Sequence, residues 1–234
     1  MTNGLTMADV TADRDDEVAR LGLSEPGTQS LTAKAYEAIA DMIRRRRLKG
    51  GEVIVESRLA GLLNVSRTPL REALLRLEGE GLVVRGSGRS LIVRYVDLKE
   101  YLQSLRVREL VEPEAAALAC GRIALADIQR VRAETEALVK MQPYDVEAHW
   151  RSDADLHDLF VMACGNDVLI QMIRRLRTTT HLFEVARLSD RLGPDATEHL
   201  AILDALEASD PRAARKAATA HIKSLYRFAL ETLE

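Results

Sequence analysis

Asn64-Val65-Ser66-Arg67-Thr68-Pro69-Leu70-Arg71-Glu72-Ala73-Leu74 is the stretch that decides how the first part of this 234-residue chain folds. Ser66 stands where a helix begins, so its hydroxyl can accept a hydrogen bond from a backbone N–H that has no partner inside the helix. Pro69 falls in the first turn, where a missing N–H costs little. Leu70, Ala73, Leu74 and Leu77 recur at i, i+3, i+4 and i+7 and form one apolar stripe. Arg67, Thr68 and Arg71 are then left on the other side, near the leading end. Two arginines four residues apart share a helix face, and each can bond bidentately to guanine O6/N7 or make a charged bond to phosphate. Ser66 and Thr68 offer hydroxyls to phosphate oxygens. This is the pattern of a recognition helix, which contacts bases mainly through its N-terminal residues.

Upstream, a short apolar helix around Arg58 to Leu63 precedes the turn Asn64-Val65, and Asn tolerates the left-handed geometry such a turn needs. Before it, Tyr36, Ile39, Ala40 and Ile43 recur at helical spacing, the basic run Arg44 to Arg47 closes that helix, and Gly50-Gly51 stops it. Downstream of Gly81, the runs Leu82 to Arg85 and Ser90 to Arg94 flank Gly86-Ser87-Gly88-Arg89, which reads as a hairpin. Helix, turn, helix and hairpin in that order predict a winged helix-turn-helix over residues 31–96. On its wing, Gly88 allows close backbone approach to a duplex and Arg89 can reach the minor groove or a phosphate. This segment holds 13 Lys/Arg against 7 Asp/Glu, a net of +6, which leaves −9 elsewhere in a chain of net charge −3. A basic module on an acidic one suggests that only the first meets a polyanion.

Residues 1–30 are acidic, contain Gly, Pro, Ser and Thr, and show no sustained apolar period, so a mobile tail is expected there. Beyond Asp97 the pattern is helical throughout, with breaks near Gly121, Pro143, Gly165-Asn166, Gly193-Pro194 and Asp210-Pro211. About six helices and no strand follow, giving a mainly α protein with an all-helical bundle over residues 97–234. The apolar stretches are too short to cross a bilayer, and the acidic N-terminus does not read as a signal peptide, so a cytoplasmic location is expected. Cys120 and Cys164 have neither metal-ligand nor disulfide spacing and read as buried free thiols.

Four residues of the helical part suggest an ion site. Asp153 and His157 are four apart on a helix, so they project from one face. His199 and His221 are equidistant from residue 210, inside the turn Ser209-Asp210-Pro211. If the flanking helices pack antiparallel, the two imidazoles lie at one height, and together with Asp153 and His157 they make an N3O set suited to a divalent metal. Ligating histidines must be neutral, so affinity should fall below about pH 6. His149 and His181 lack this geometry and read as structural or surface residues. Arg174, Arg175 and Arg177 form a basic stretch, mostly a solvated face, from which Arg175 is assigned to line a pocket.

Residues 31–96 resemble the winged-helix domain of the GntR family of bacterial regulators, most clearly in LAGLLNVSRTPLREALLRLEGEGLV, residues 59–83. The resemblance implies operator contacts by Ser66, Arg67, Thr68, Arg71 and the wing glycine, Gly88. Ser57 stands where some relatives place a DNA-contacting arginine, a role Arg58 can take over; Gly61 weakens the first helix by roughly 1 kcal/mol relative to Ala. Residues 100–230 resemble the FCD ligand-binding domain of the FadR-like branch, and six helices fit its smaller VanR-like version. The family element D-x-x-[FL]-H matches Asp153 to His157, and two later histidines match His199 and His221. Metal-binding members hold Zn, Ni or Mn with these four and leave coordination positions for an organic acid. The element R-x-x-x-E matches Arg108 and Glu112, where the arginine meets an effector carboxylate in relatives or else bridges to a neighbouring helix. The expected protein is a homodimer on pseudo-palindromic double-stranded operator DNA, not an enzyme and without a membrane partner, and the acidic and basic halves suggest that a small carboxylate releases it. Two rivals remain: a metal-free regulator whose histidines bond the effector, and a metal-dependent enzyme using Asp155, Asp158 or Glu198 as a base.

Overall fold

The computed structural model describes residues 30–183 and 187–231, and the tail expected over residues 1–29 lies outside them. The chain divides into two compact units between Val93 and Arg94, three residues before the expected boundary. Among the described residues no helix is long and apolar enough to cross a membrane.

The first unit begins with α1 (Leu31–Arg44), whose N-terminus is capped by Ser30 accepting from Ala33 N. Strand β1 (Val53–Ile54), helix α2 (Glu56–Leu63) and helix α3 (Arg67–Gly79) follow, then strands β2 (Val83–Arg85) and β3 (Leu91–Val93). Asn64 ends α2 at φ 51°, ψ 48°, the left-handed conformation expected of it. Leu70, Ala73, Leu74 and Leu77 are all buried on α3, against Ile39 and Ile43 of α1, also buried. Burying a Leu or Ile side chain stabilises by about 1.5–3 kcal/mol each, which holds α3 by its apolar side and leaves the other in solvent. The wing is more than a hairpin. The two residues of β1 pair antiparallel with β3, giving a three-stranded sheet in the order β1-β3-β2. So short a strand carries no alternation for sequence periodicity to reveal. Gly86 N donates to Ser90 O at 2.8 Å across the turn, and Gly88 sits at φ 71°.

The second unit contains six α-helices among the described residues: α4 (Leu98–Ala119), α5 (Leu125–Lys140), α6 (Val146–Ala163), α7 (Asp167–Leu182), α8 (Leu192–Glu207) and α9 (Pro211–Glu231). Side chains cap four of them: Asp97, Asp145, Asn166 and Asp210 each accept from backbone N–H groups of the turn that follows. Helix α4 is central, packing on α6, α7, α8 and α9. One expected break is displaced. Gly193-Pro194 lies inside the first turn of α8, where proline needs no N–H partner, and a 3-10 turn at Leu188–Arg191 precedes the helix instead. Cys164 is buried, but Cys120 is only partly so.

Candidate functional site

The first unit presents its polar residues outward. Arg58, Ser66, Arg67, Thr68, Arg71 and Gly88 are all exposed. Ser66 occupies the N-cap position of α3, yet its side chain makes no capping hydrogen bond, contrary to expectation; its hydroxyl stays available. Arg71 Nε donates to Glu56 Oε2 on α2 at 2.8 Å, but with 61% of the Arg71 side chain in solvent such a pair is worth at most about 1 kcal/mol. The Arg89 side chain lies outside the described residues.

The second unit does the reverse. Asp153 and His157 from α6, His199 from α8 and His221 from α9 bring one ligand atom each to within 4.8 Å of one another. The His199 and His221 ring centroids are 4.8 Å apart, as antiparallel α8 and α9 hinged at residue 210 require. The three imidazoles are between 0 and 2% exposed. Two backing carboxylates orient them. Glu112 Oε2 is 2.9 Å from His157 Nδ1, a charge contact without the alignment of a full hydrogen bond, and His221 Nδ1 donates to Glu198 Oε2 at 2.9 Å. An ionised carboxylate can only accept, so His221 carries its proton on Nδ1 and turns a bare Nε2 inward, and the Glu112 charge beside His157 Nδ1 favours the same tautomer there. Those Nε2 atoms are 3.3 Å apart. His199 Nε2 is buried with no hydrogen-bond partner and lies 3.9 Å from Asp153 Oδ1.

Electrostatics point the same way. Burial, with Arg177 adding to it, pushes the His157 imidazole down to about 4; burial and then His221 hold His199 well below its ordinary value. Burial alone would raise the Asp153 carboxyl, but Arg177, His157 and His199 together hold it well below the usual carboxylate range. Burial opposes the ionised form of Glu112 as well, and Arg108 and His157 overcome it. Two neutral rings thus sit beside an ionised carboxylate, the protonation states a metal requires of its ligands.

The two arginines assigned to an effector sit in opposite settings. Arg108 is buried and its fork is engaged: Nε and Nη2 donate to Glu112 at 2.5 and 3.3 Å, and Nη1 to Thr180 Oγ1 at 2.8 Å. It supports the carboxylate behind His157. Arg175 is exposed; two positions on, about 200° around the helix, Arg177 is buried and its Nη2 donates to Asp153 Oδ2 at 2.9 Å. His149 is buried and His181 partly so, the structural of their two expected settings. His149 bonds Tyr144 Oη at 3.0 Å and Asp195 Oδ2 at 3.1 Å. His181 packs on Trp150 with ring centroids 5.0 Å apart, and burial pushes it down to about 4. Asp195, Arg191 and the supporting roles of Glu112 and Glu198 escaped sequence reasoning.

A winged helix with an exposed basic face, in one chain with a helical bundle holding a buried His/Asp cluster, fits the class of DNA-binding regulators with a second, helical domain. The model for bacterial regulatory proteins of the gntR family matches residues 31–93, and that for the FCD domain matches residues 103–224; the chain belongs to the GntR family of transcriptional regulators, in its FCD-containing, FadR-like branch, and this is not a family of enzymes. Among its relatives, the "Probable D-xylose utilization operon transcriptional repressor" of Paenarthrobacter nicotinovorans is 28% identical over 195 residues, covering 82% of this chain and 86% of the relative. The HTH-type transcriptional repressor NanR of Cronobacter sakazakii is 25% identical over 240 residues, covering 92% and 91%. The solved structure of Escherichia coli McbR/YncC shares the fold, with a TM-score of 0.74 at 21% identity over 88% of this chain and 100% of that one.

Proposed function

We propose that this regulator is a homodimeric repressor whose operator affinity is set by a small organic acid at a divalent metal, Zn, Ni or Mn, held by Asp153, His157, His199 and His221. The observation that carries the metal is the pair of Nε2 atoms 3.3 Å apart, each ring backed by a carboxylate, with the orphaned His199 Nε2 beside them. Without a cation their lone pairs repel one another; a divalent ion accepts all three, with Asp153 Oδ1 as the fourth donor.

Charge supports an anionic effector. The buried set comprises the carboxylates of Glu112, Asp153, Asp195 and Glu198 and the guanidinium groups of Arg108, Arg177 and Arg191, a balance of −1 that a divalent ion turns to +1. One carboxylate restores neutrality. Arg177, beside Asp153, is the guanidinium best placed to meet it. On the DNA side, Arg67 and Arg71 read base edges, Ser66, Thr68 and Arg58 hold phosphates, and the wing at Gly88 and Arg89 follows the backbone. Two recognition helices related by a two-fold axis fit a pseudo-palindromic operator.

Effector binding changes operator affinity only if the acid prefers one arrangement of the protein over another. The test is fluorescence anisotropy on a duplex selected from random DNA, with chelator-treated protein, metal-loaded protein, and loaded protein plus candidate acids. A fall in operator affinity of about 5- to 150-fold is expected for the cognate acid with metal present. Equal affinity under all three conditions, across a panel of mono- and dicarboxylates, contradicts the reading. Release by an acid without metal favours the metal-free alternative.

A further inference from the structure

Behind His221 lies a second gathering of metal-type donors. Asp195, Glu198 and His221 bring one ligand atom each within 4.8 Å of one another. Its central space holds a side chain of the protein. Arg191, from the 3-10 turn before α8, is 4% exposed at its side chain. Its Nη2 donates to Glu198 Oε2 at 2.9 Å and also to Asp195 Oδ1, its Nε donates to Asp195 at 3.1 Å, and its Nη1 to Ser224 Oγ at 2.9 Å. The far oxygen of Asp195 meets His149 Nε2 at 3.1 Å. The same Glu198 Oε2 that takes the Arg191 bond accepts the His221 Nδ1 proton at 2.9 Å.

We propose that Arg191 is a resident cation that closes this second donor set and, by fixing Glu198, dictates which nitrogen His221 turns toward the four-residue cluster. Arg191 is a positioning residue. The reasoning is geometric. Two carboxylates and an imidazole at such close range need a positive charge, and buried carboxylates stay ionised only when paired. A guanidinium supplies that charge with a planar fork that a metal ion does not have. It spans Asp195 and Glu198 and holds Glu198 Oε2 on the Nδ1 side of His221. A carboxylate fixed there can only accept, so the ring's proton stays on Nδ1 and its lone pair on Nε2, 3.3 Å from His157 Nε2. One imidazole therefore couples the two sets: what fills the rear determines what the front can hold. The rear set, though rich in metal-type donors, belongs to Arg191, and each chain should bind one metal ion rather than two.

The proposal rests on the metal reading of the front cluster, and the test separates the two. Full-length protein labelled with 15N at histidine, stripped with chelator and held at pH 8, reports the His221 tautomer; His221→Asn assigns the signals. The unaltered protein should show His221 protonated on Nδ1. Arg191→Met, which removes the charge but keeps much of the volume, should lose that single tautomer and bind Zn about 10- to 100-fold more weakly in chelator competition, the usual effect of losing a group that orients a ligand. Arg191→Lys should recover most of both. Glu198→Gln, nearly isosteric, keeps the test open should Arg191→Met fail to fold, and should likewise loosen the tautomer and weaken Zn. An unchanged tautomer and unchanged Zn affinity in Arg191→Met and Glu198→Gln would overturn the proposal, as would two equivalents of Zn on the unaltered protein. A protein that binds no Zn but loses the tautomer in Arg191→Met would refute the metal reading and leave the positioning role standing.

Discussion

The two units carry their functional charges in opposite ways. In the first, Arg67 and Arg71 stand in water, and Arg71 is held only by a loose pair with Glu56. In the second, Arg108, Arg177 and Arg191 are nearly solvent-free, and each is bonded to carboxylates that touch the His/Asp cluster or belong to it. An exposed cation costs little to present, so the exposed basic face is separable from the fold. A buried charge is tolerable only when paired, so the cluster and the stability of its bundle are one system. Substitutions in the two units should therefore fail in different ways.

The largest expected effect is on DNA. Replacing Arg67 and Arg71 together by Ala removes up to two base contacts worth about 1–3 kcal/mol each, a loss in sequence-selective affinity between about 30-fold and 10⁴-fold. Stability should change by no more than about 0.5 kcal/mol, as for other exposed sites. Anisotropy against cognate and scrambled duplexes, with urea unfolding alongside, checks both. Undiminished selectivity would remove this face from the operator interface.

Glu112→Ala should do the opposite. It strands Arg108 as an uncompensated buried charge, a loss of about 3–5 kcal/mol, read as a lower urea midpoint of the helical unit. For comparison, Leu74→Ala in the core of the first unit should cost about 2–5 kcal/mol through the cavity it leaves. A Glu112→Ala protein as stable as the parent would mean that the Arg108–Glu112 pair is not an integral part of the bundle.

Acid should separate the units next. His157, held down to about 4 by burial and Arg177, and His199, lowered by burial and His221, bind fewer protons folded than unfolded. Their contribution is complete above about pH 6.5 and declines as pH falls toward 4. Asp153, held low mainly by Arg177 against the pull of burial, adds a loss of the same sign at lower pH. Urea unfolding of chelator-treated protein at pH 7 and pH 5 should show the helical unit weakened at the lower pH; equal or greater stability at pH 5 would contradict the buried neutral rings. The smallest effect belongs to Ser66→Ala. Its hydroxyl makes no capping bond, so the loss should fall below the roughly 1 kcal/mol of a working N-cap, with any further cost confined to DNA affinity.

What the sequence revealed follows from the range of each signal. The α3 stripe is local, and 3.6-residue periodicity displays it completely. The His/Asp cluster was legible because its residues obey local rules as well: an i, i+4 pair on α6, and two histidines equidistant from a turn. The supporting residues do not. Nothing in the spacing of Glu112, Glu198 or Asp195 tells which imidazole each will face, because helix packing decides that. Strand β1 is too short to alternate. Arg177 was the exception, since a readable signal was present: with Ile170, Ile173 and Thr180 it continues an i, i+3, i+7, i+10 stripe that is buried throughout, whereas Arg175 lies off it. A charged residue on an apolar stripe marks a buried polar network, and Arg108 and Glu112, in register with Tyr101 and Leu105 on α4, obey the same rule.

Cobalt titration of chelator-treated protein, followed by visible absorption, tests the central claim most directly, because the partly filled d shell of Co(II) gives bands that report its ligands. One saturable equivalent per chain, abolished in His199→Ala and in Asp153→Ala while both variants remain helical, is the result expected. No saturable binding, or the same spectrum and stoichiometry in both variants, would contradict it.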